Sequence, residues 1–192
     1  MLRCVSVSMA VGAMLPWKSS GYPFLPDGIQ KWANVRQNVI NAQGKNKSFL
    51  DIGCGIGFST ASSSGSLGID TDPEMLNKAK KLFPEKNFEF GDVLFWKSRR
   101  KYDIVTSMFY LHENPRYIRK RIIKIALKNA TERVIFVDLA PDYRVSDELL
   151  ERKPYLKDYL LHCREDLSGF EEHVIIKGRL HLWVREMSVL RQ

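Results

Sequence analysis

Residues 48–57 of this 192-residue chain read Ser48-Phe49-Leu50-Asp51-Ile52-Gly53-Cys54-Gly55-Ile56-Gly57. The apolar positions from Phe49 to Ile52 have the composition of a buried parallel strand, and polar residues precede them. Three glycines at alternate positions then permit positive φ and remove the Cβ atoms that would hold a ligand away from the backbone. This segment therefore predicts a strand that runs into a ligand-binding turn.

Two ligand classes fit a glycine-rich turn after a first strand. A dinucleotide site uses the pattern GxGxxG, with its last glycine at the helix entry, but Phe58 stands at that position here. The glycines run GxGxG instead, and an acid stands two residues before the first of them. This pattern resembles the first motif, (D/E)xGxGxG, of the class I S-adenosylmethionine-dependent methyltransferases, matched at Asp51, Gly53, Gly55 and Gly57. We therefore favour a methyltransferase over a dinucleotide oxidoreductase.

The resemblance implies an α/β fold, a single-domain three-layer αβα sandwich that is Rossmann-like. Its seven-stranded, mostly parallel sheet would have the order 3-2-1-4-5-7-6 with strand 7 antiparallel. We expect this domain over residues 28–192, preceded by an irregular arm over residues 1–27 that is rich in aromatic residues and prolines. The arm is a candidate cover for the pocket, and its alternative role is packing on the core. Its candidate pocket residues are Trp17, Tyr22 and Phe24.

The resemblance also assigns a set of cofactor contacts for S-adenosylmethionine. Asp70 ends the predicted second strand, 66–70, and matches the family's ribose-binding acid, whereas Asp72 before Pro73 has the pattern of a helix cap. Asp92 and Val93 match the adenine-binding turn, for which a plain turn aspartate is the alternative. The predicted cofactor-binding residues are Asp51, Gly53, Cys54, Gly55, Gly57, Asp70, Thr71, Asp92, Val93 and Ser107.

Residues 58–64 depart from the family pattern. The family has a full helix after the glycines, but this segment is rich in serine and poor in helix-forming residues. Only 19 residues separate Asp51 from Asp70, so we expect this helix to be shorter by about one turn, ~3.6 residues.

The end of the fourth strand is where substrate chemistry is expected, because open α/β sheets present ligands at the carboxyl ends of their strands. The strand Tyr102 to Met108 resembles the family's YDxVxxxxxLH segment and continues into Tyr110, His112 and Glu113. His112 is the candidate general base, with Glu113 second and a structural role for either as the alternative. Tyr110 and Asp138, the latter at the end of the predicted fifth strand, are candidate substrate-pocket residues.

Later residues complete the predicted sheet and its helices. Residues 115–130 read as a basic helix whose six Arg and Lys side chains form a solvated face, or a nucleic-acid contact as the alternative. Residues 145–165 read as a polar helix that Pro154 kinks or splits. Two short apolar segments, 173–176 and 180–187, read as a terminal hairpin.

Composition limits the partners that we expect. A net charge of +8 and a pI near 9.4 favour anionic partners, which leaves a small-molecule acceptor as the first hypothesis and RNA as the second. A binding protein that has lost methyl transfer is the alternative of another class. Three scattered cysteines indicate neither disulfides nor a metal site, so we expect a reducing, cytoplasmic location and no bound metal. No apolar run is long enough to span a membrane, and the oligomeric state stays open.

Overall fold

The computed structural model describes residues 27–44 and 46–187. They contain a seven-stranded sheet flanked by helices. The strands are β1 Phe49–Ile52, β2 Leu67–Asp70, β3 Phe88–Phe90, β4 Tyr102–Met108, β5 Ala130–Leu139, β6 Glu171–Ile176 and β7 Leu180–Glu186. The helices are α1 Asp27–Asn41, α2 Pro73–Leu82, α3 Arg116–Asn129, α4 Asp147–Arg152 and α5 Leu156–Asp166, with a 3₁₀ helix at Leu111–Glu113.

The strand order is β3-β2-β1-β4-β5-β7-β6, and β7 runs antiparallel to both of its neighbours. The remaining pairs are parallel, so the predicted order and orientation are confirmed. Strand β1 lies between β2 and β4, where the connections change direction. A crevice at the carboxyl ends of these central strands is therefore the expected ligand position.

Alternation along the strands builds a separate core on each face of the sheet. In β1, Phe49 packs with Val35 and Val39 of α1, whereas Leu50 packs with Ile122 of α3 and Tyr159 of α5. Successive side chains of a strand point to opposite faces, so one short strand contributes to both layers. This arrangement gives the three-layer sandwich that the sequence predicts.

Two helix boundaries follow the predicted local signals. Asp72 caps α2, because its carboxylate accepts hydrogen bonds from the backbone N–H groups of Glu74 (2.8 Å) and Met75 (3.2 Å). Pro154 falls between α4 and α5, so the predicted polar helix is split rather than kinked. The aspartate therefore accounts for the start of α2, and the proline accounts for the break between α4 and α5.

The shortened helix expected after Gly57 is wrong. Between β1 and β2 the described chain forms turns and bends and contains no helix. Hydroxyl groups bond elsewhere: those of Ser59 and Thr60 donate to the Asp51 carboxylate, and that of Ser63 donates to the Lys47 carbonyl. Such side-chain bonds offer an alternative to helical pairing, and they hold this segment in its turns.

The solvated basic face expected on α3 is only partly correct. Arg119 is 1% exposed and donates to the carboxylates of Asp158 and Asp166 on α5, at 2.7 and 3.0 Å. Arg116 also binds Asp166, and Arg121 donates to the Val93 carbonyl. Three basic side chains therefore join α3 to its neighbours, and the exposed ones are Lys120, Lys124 and Lys128.

In the part of the chain that the structure describes, no helix is sufficiently long and apolar to cross a membrane.

Candidate functional site

The glycine loop, residues 53–57, follows β1 directly. Gly53 has φ +74°, and a Cβ placed on it would lie 2.4 Å from the Tyr110 ring. Gly55 has φ +52°, but a Cβ there would meet no atom within 4 Å. Glycine at 53 therefore allows the Tyr110 ring to pack against the backbone, whereas Gly55 leaves open space beside the loop.

Asp51 holds this loop from inside the protein. Its carboxylate is fully buried and accepts from the hydroxyls of Ser59 (2.8 Å), Thr60 (2.7 Å) and Thr106 (3.3 Å). Burial raises the pKa of Asp51, and the three hydroxyl bonds partly offset that effect. The side chain of Asp51 lies beneath the loop and fixes it, and its predicted cofactor contact stays a prediction.

Asp70 lies at the carboxyl end of β2, beside the loop. One carboxylate oxygen accepts from the Gly55 N–H at 2.7 Å, and the other accepts from the Asp72 N–H at 3.0 Å. Each carboxylate oxygen can accept a further bond, so the group retains capacity for a ligand. Asp70 thus links the loop to the strand and also presents acceptors at the edge of the sheet.

A cavity of about 580 Å³ opens between the glycine loop and the end of β4. Its volume lies within the range of small-molecule sites. It is lined by Arg36, Gly53, Cys54, Gly55, Ile56, Phe58, Ser59, Asp70, Thr71, Asp72, Met75, Met108, Phe109, Tyr110, His112 and Glu113. The loop and β4, which are far apart in the sequence, therefore meet around one space.

His112 and Asp138 form a bonded pair at the wall of this cavity. Asp138 is fully buried, and its carboxylate lies 2.6 Å from Nδ1 of His112 and accepts from the His112 backbone N–H at 3.2 Å. Because Nδ1 is engaged, Nε2 is the ring nitrogen available for other partners. Glu113 lies 3.9 Å from that nitrogen and pairs with Lys153 at 2.5 Å.

The surroundings of His112 shift its pKa in two directions. Burial is the largest effect and lowers the pKa, but the charge and hydrogen bond of Asp138, together with the charge of Glu113, outweigh it. The net result is a raised pKa for His112.

Burial also raises the pKa of Tyr110 to about 12 and raises that of the Cys54 thiol, so both stay neutral near pH 7.

Comparison with known proteins finds similarity to methyltransferases. A family model described as "Methyltransferase domain" matches residues 49–131. A protein of Invertebrate iridescent virus 6 named "Putative methyltransferase 235L" is 40% identical over 72 residues, which cover 34% of this chain and 27% of that protein. Over residues 49–131 this chain is therefore similar to methyltransferases.

Solved structures agree with this methyltransferase fold. Magnesium protoporphyrin IX methyltransferase from Synechocystis PCC 6803, with bound SAH, aligns with a TM-score of 0.61 at 18% identity, over 85% of this chain and 89% of that one. The PH0226 protein from Pyrococcus horikoshii OT3 aligns with a TM-score of 0.60 at 13% identity, over 90% and 97%. At these identities the similarity is one of fold. The chain covers about a quarter of the length of the viral relative.

The fold brings many of the predicted site residues to one cavity. They are Gly53, Cys54, Gly55, Asp70, Thr71, Tyr110, His112 and Glu113. Trp17, Tyr22 and Phe24 lie outside the described residues. Within those residues, no group of three or more potential ligand side chains could hold a metal ion.

Other predicted contacts do not line the cavity. Ser107 is buried and donates to the Ile52 carbonyl at 2.7 Å, and its predicted cofactor contact stays a prediction. Asp138 is fully buried and bonded to His112, and its predicted pocket role also stays a prediction. Asp92 accepts from the Leu94 N–H at 2.8 Å, in the manner of a turn aspartate. The predicted cofactor roles of Asp92 and Val93 stay predictions.

Further lining residues of the cavity were not predicted from the sequence, and Arg36 is the main one. It stands on α1 between Val35 and Val39, both buried in the core. A charged residue within an apolar stripe was the signal that could have identified it. Phe58, Ser59 and Met75 line the cavity as well, but they follow no motif that would mark them.

Proposed function

We propose that this protein is an S-adenosylmethionine-dependent methyltransferase that acts on a small molecule. The observation that carries the proposal is one cavity with Asp70 and the glycine loop on one side and His112 on the other. The glycine loop and Asp70 would hold the cofactor, and His112, a group that can exchange protons, lines the same cavity. The methyltransferase domain and its fold support this function for the described residues.

The residues present fit the cofactor. Gly55 leaves open space for a ligand beside the backbone, and Asp70 has acceptor capacity for the hydroxyl pair of a ribose. When bound, S-adenosylmethionine supplies a methyl group activated by its sulfonium. The protein's contribution is then mainly proximity and orientation.

His112 is the proposed general base for acceptors whose nucleophilic atom carries a proton. Asp138 holds the imidazole through Nδ1, so Nε2 is the atom that would accept the proton. Because the pKa of His112 is raised, the neutral base would be populated only above the ordinary histidine value of about 6.5. Rate loss on the acid side of that pKa is the expected signature. Glu113 is the second candidate for this role.

A small acceptor is favoured over RNA by two observations. The cavity is of small-molecule size. In addition, Arg116, Arg119 and Arg121 of α3 are engaged within the protein and are not free to bind phosphates. The solved relative from Synechocystis is named for a porphyrin substrate, which is also a small molecule.

The proposed location is the cytoplasm, where thiols stay reduced. The free buried thiols of Cys54 and Cys163 agree with this location.

Calorimetry with S-adenosylhomocysteine tests the cofactor. Asp70→Ala should weaken binding by roughly ten- to a hundredfold, because hydrogen bonds to a charged group are worth about 1.5–3 kcal/mol. Glu85→Ala removes an exposed carboxylate in the loop after α2 and should bind like the wild type. Equal affinities for the wild type and Asp70→Ala would contradict the ribose assignment.

Transfer of a radiolabelled methyl group tests the acceptor. Label should enter a metabolite extract rather than pooled RNA, and the double variant Lys120→Glu, Lys124→Glu should transfer as well as the wild type. Strong labelling of RNA that falls with salt and with these two substitutions would replace the small-molecule proposal by the RNA one. Cofactor binding without transfer to either pool would indicate a regulatory binding protein.

A further inference from the structure

We propose that strand β6 is a dimer interface, at which it pairs antiparallel with β6 of a second copy of this chain across a two-fold axis. The sheets of the two copies then form one continuous sheet. This interface lies at the edge of the sheet beyond β5 and β7, away from the cavity between the glycine loop and β4. The proposal therefore stands independently of the proposed function.

Strand β6, Glu171–Ile176, is one of the two edges of the sheet. It pairs with β7 on one side, and within residues 27–44 and 46–187 no strand covers its other side. The outward N–H and C=O groups of an edge strand form a template for a further strand. The opposite edge, β3, has only three residues, whereas β6 has six. Strand β6 is therefore the edge with the greater capacity for pairing.

The sequence of β6 has few of the features that protect edges from pairing. Protected edges are very short, contain proline, carry charges along the strand or bulge outward. Strand β6 contains no proline and ends in Val174-Ile175-Ile176, and its acidic residues, Glu171 and Glu172, stand at one end. The register shifts between Val174 and Ile176, and such a bulge increases the local twist of a strand. The apolar half of the strand is thus left open to a partner.

Exposed apolar side chains flank this edge on the α5 side of the sheet. Val174 of β6 is 53% exposed, and Leu161 of α5 is 70% exposed. Leu161 lies one turn before Arg164, which donates to the Glu172 carboxylate at 3.0 Å, so this part of α5 lies over β6. A two-fold axis perpendicular to the sheet keeps both α5 helices on one side. The dimer would then bury Val174 and Leu161 of both copies, which favours association.

The charges at the two ends of β6 are complementary to each other. Glu171 begins the strand, and its side chain is 69% exposed, with His173 Nε2 at 3.3 Å. Lys177 follows the strand, is exposed and forms no ion pair within the part of the chain that the structure describes. Antiparallel pairing centred on Val174 sets Glu171 of each copy opposite Lys177 of the other, so the symmetry makes the contact twice. A parallel arrangement would set like charges side by side.

Sedimentation velocity between about 1 and 100 μM measures the oligomeric state and the dissociation constant of the dimer. The wild type should be a dimer. Lys177→Glu should weaken it by at least about tenfold, because two acidic side chains then face each other, and Glu171→Lys should do the same with two lysines. The double variant Glu171→Lys, Lys177→Glu exchanges the charges and should return to within about threefold of the wild type.

A matched pair of leucine variants tests the α5 side of the interface. Leu161→Asp should weaken the dimer by at least about tenfold, whereas Leu82→Asp, at an exposed leucine of α2, should stay within about twofold of the wild type. Thermal melts verify that each variant is folded. A wild type that stays monomeric over the whole range would overturn the proposal. A dimer that neither single charge change weakens, or that the double change fails to restore, would overturn it as well.

Discussion

Replacing Gly53 by alanine should destabilise the protein by an amount that two separate effects predict. At φ +74° an alanine pays roughly 1–2 kcal/mol for the left-handed conformation. Its Cβ would also lie 2.4 Å from the Tyr110 ring, so the ring or the loop must move. Overpacking of this kind costs about 1–3 kcal/mol. The expected loss in the free energy of unfolding is therefore about 2–5 kcal/mol.

The matched control is Gly44→Ala. Gly44 has φ +95°, and a Cβ there would meet no atom within 4 Å, so only the conformational cost of roughly 1–2 kcal/mol applies. Urea denaturation followed by circular dichroism measures both losses. On a Tyr110→Ala background the ring is absent, and Gly53→Ala should then cost no more than Gly44→Ala does in the wild type. Equal costs for the two glycine variants in the wild-type background would refute the reasoning.

Two further predictions concern buried charges. Arg119→Ala should lower the free energy of unfolding by about 1.5–3 kcal/mol, because it removes charged hydrogen bonds to Asp158 and Asp166, although Asp166 keeps Arg116 as a partner. The exposed Lys120→Ala should change it by less than ~0.5 kcal/mol, and similar urea midpoints for the two variants would count against the buried network. Asp138→Asn should lower the pKa of His112 in an NMR titration, since Asp138 raises it against the effect of burial. Because the folded-state pKa is raised, protonated His112 contributes to the free energy of unfolding fully at pH values below the unfolded pKa of about 6.5, and this contribution is lost as the pH rises through the folded pKa. The Asp138→Asn variant should lack that pH dependence. An unchanged His112 pKa in the variant would contradict the pairing.

The predictable parts of this chain depend on local pattern. The strand before the glycine loop, the cap at Asp72 and the break at Pro154 each follow from residues within a few positions, and the structure confirms them. The sheet order came from the resemblance to a family rather than from those patterns. Local signals and family motifs together were enough to select Gly53, Gly55 and Asp70, which line one cavity in the structure.

The unpredicted parts depend on partners distant in the sequence. Asp51 was expected at the ligand because its motif position favours that, but Thr106 of β4 and the nearby hydroxyls enclose it. Arg119 was counted as solvated because no acid lies on its own helix, yet its partners Asp158 and Asp166 lie on α5. Arg36 follows no motif in the sequence, because only the fold brings α1 next to Phe109 of the loop after β4.

The pairing of β1 with β4 also bears on how the chain folds. The paired residues Leu50 and Val105 are separated by 55 positions, as are Ser107 and Ile52, which are joined by a hydrogen bond. Closing so long a loop lowers the entropy of the chain before the contacts between β1 and β4 can offset that loss, whereas the β6–β7 hairpin closes over a short turn. The cavity lies at this junction, so a ligand can bind only after the two distant segments have met. Bound cofactor would then stabilise this long-range contact, and the stabilisation would rise with the logarithm of the cofactor concentration over its dissociation constant.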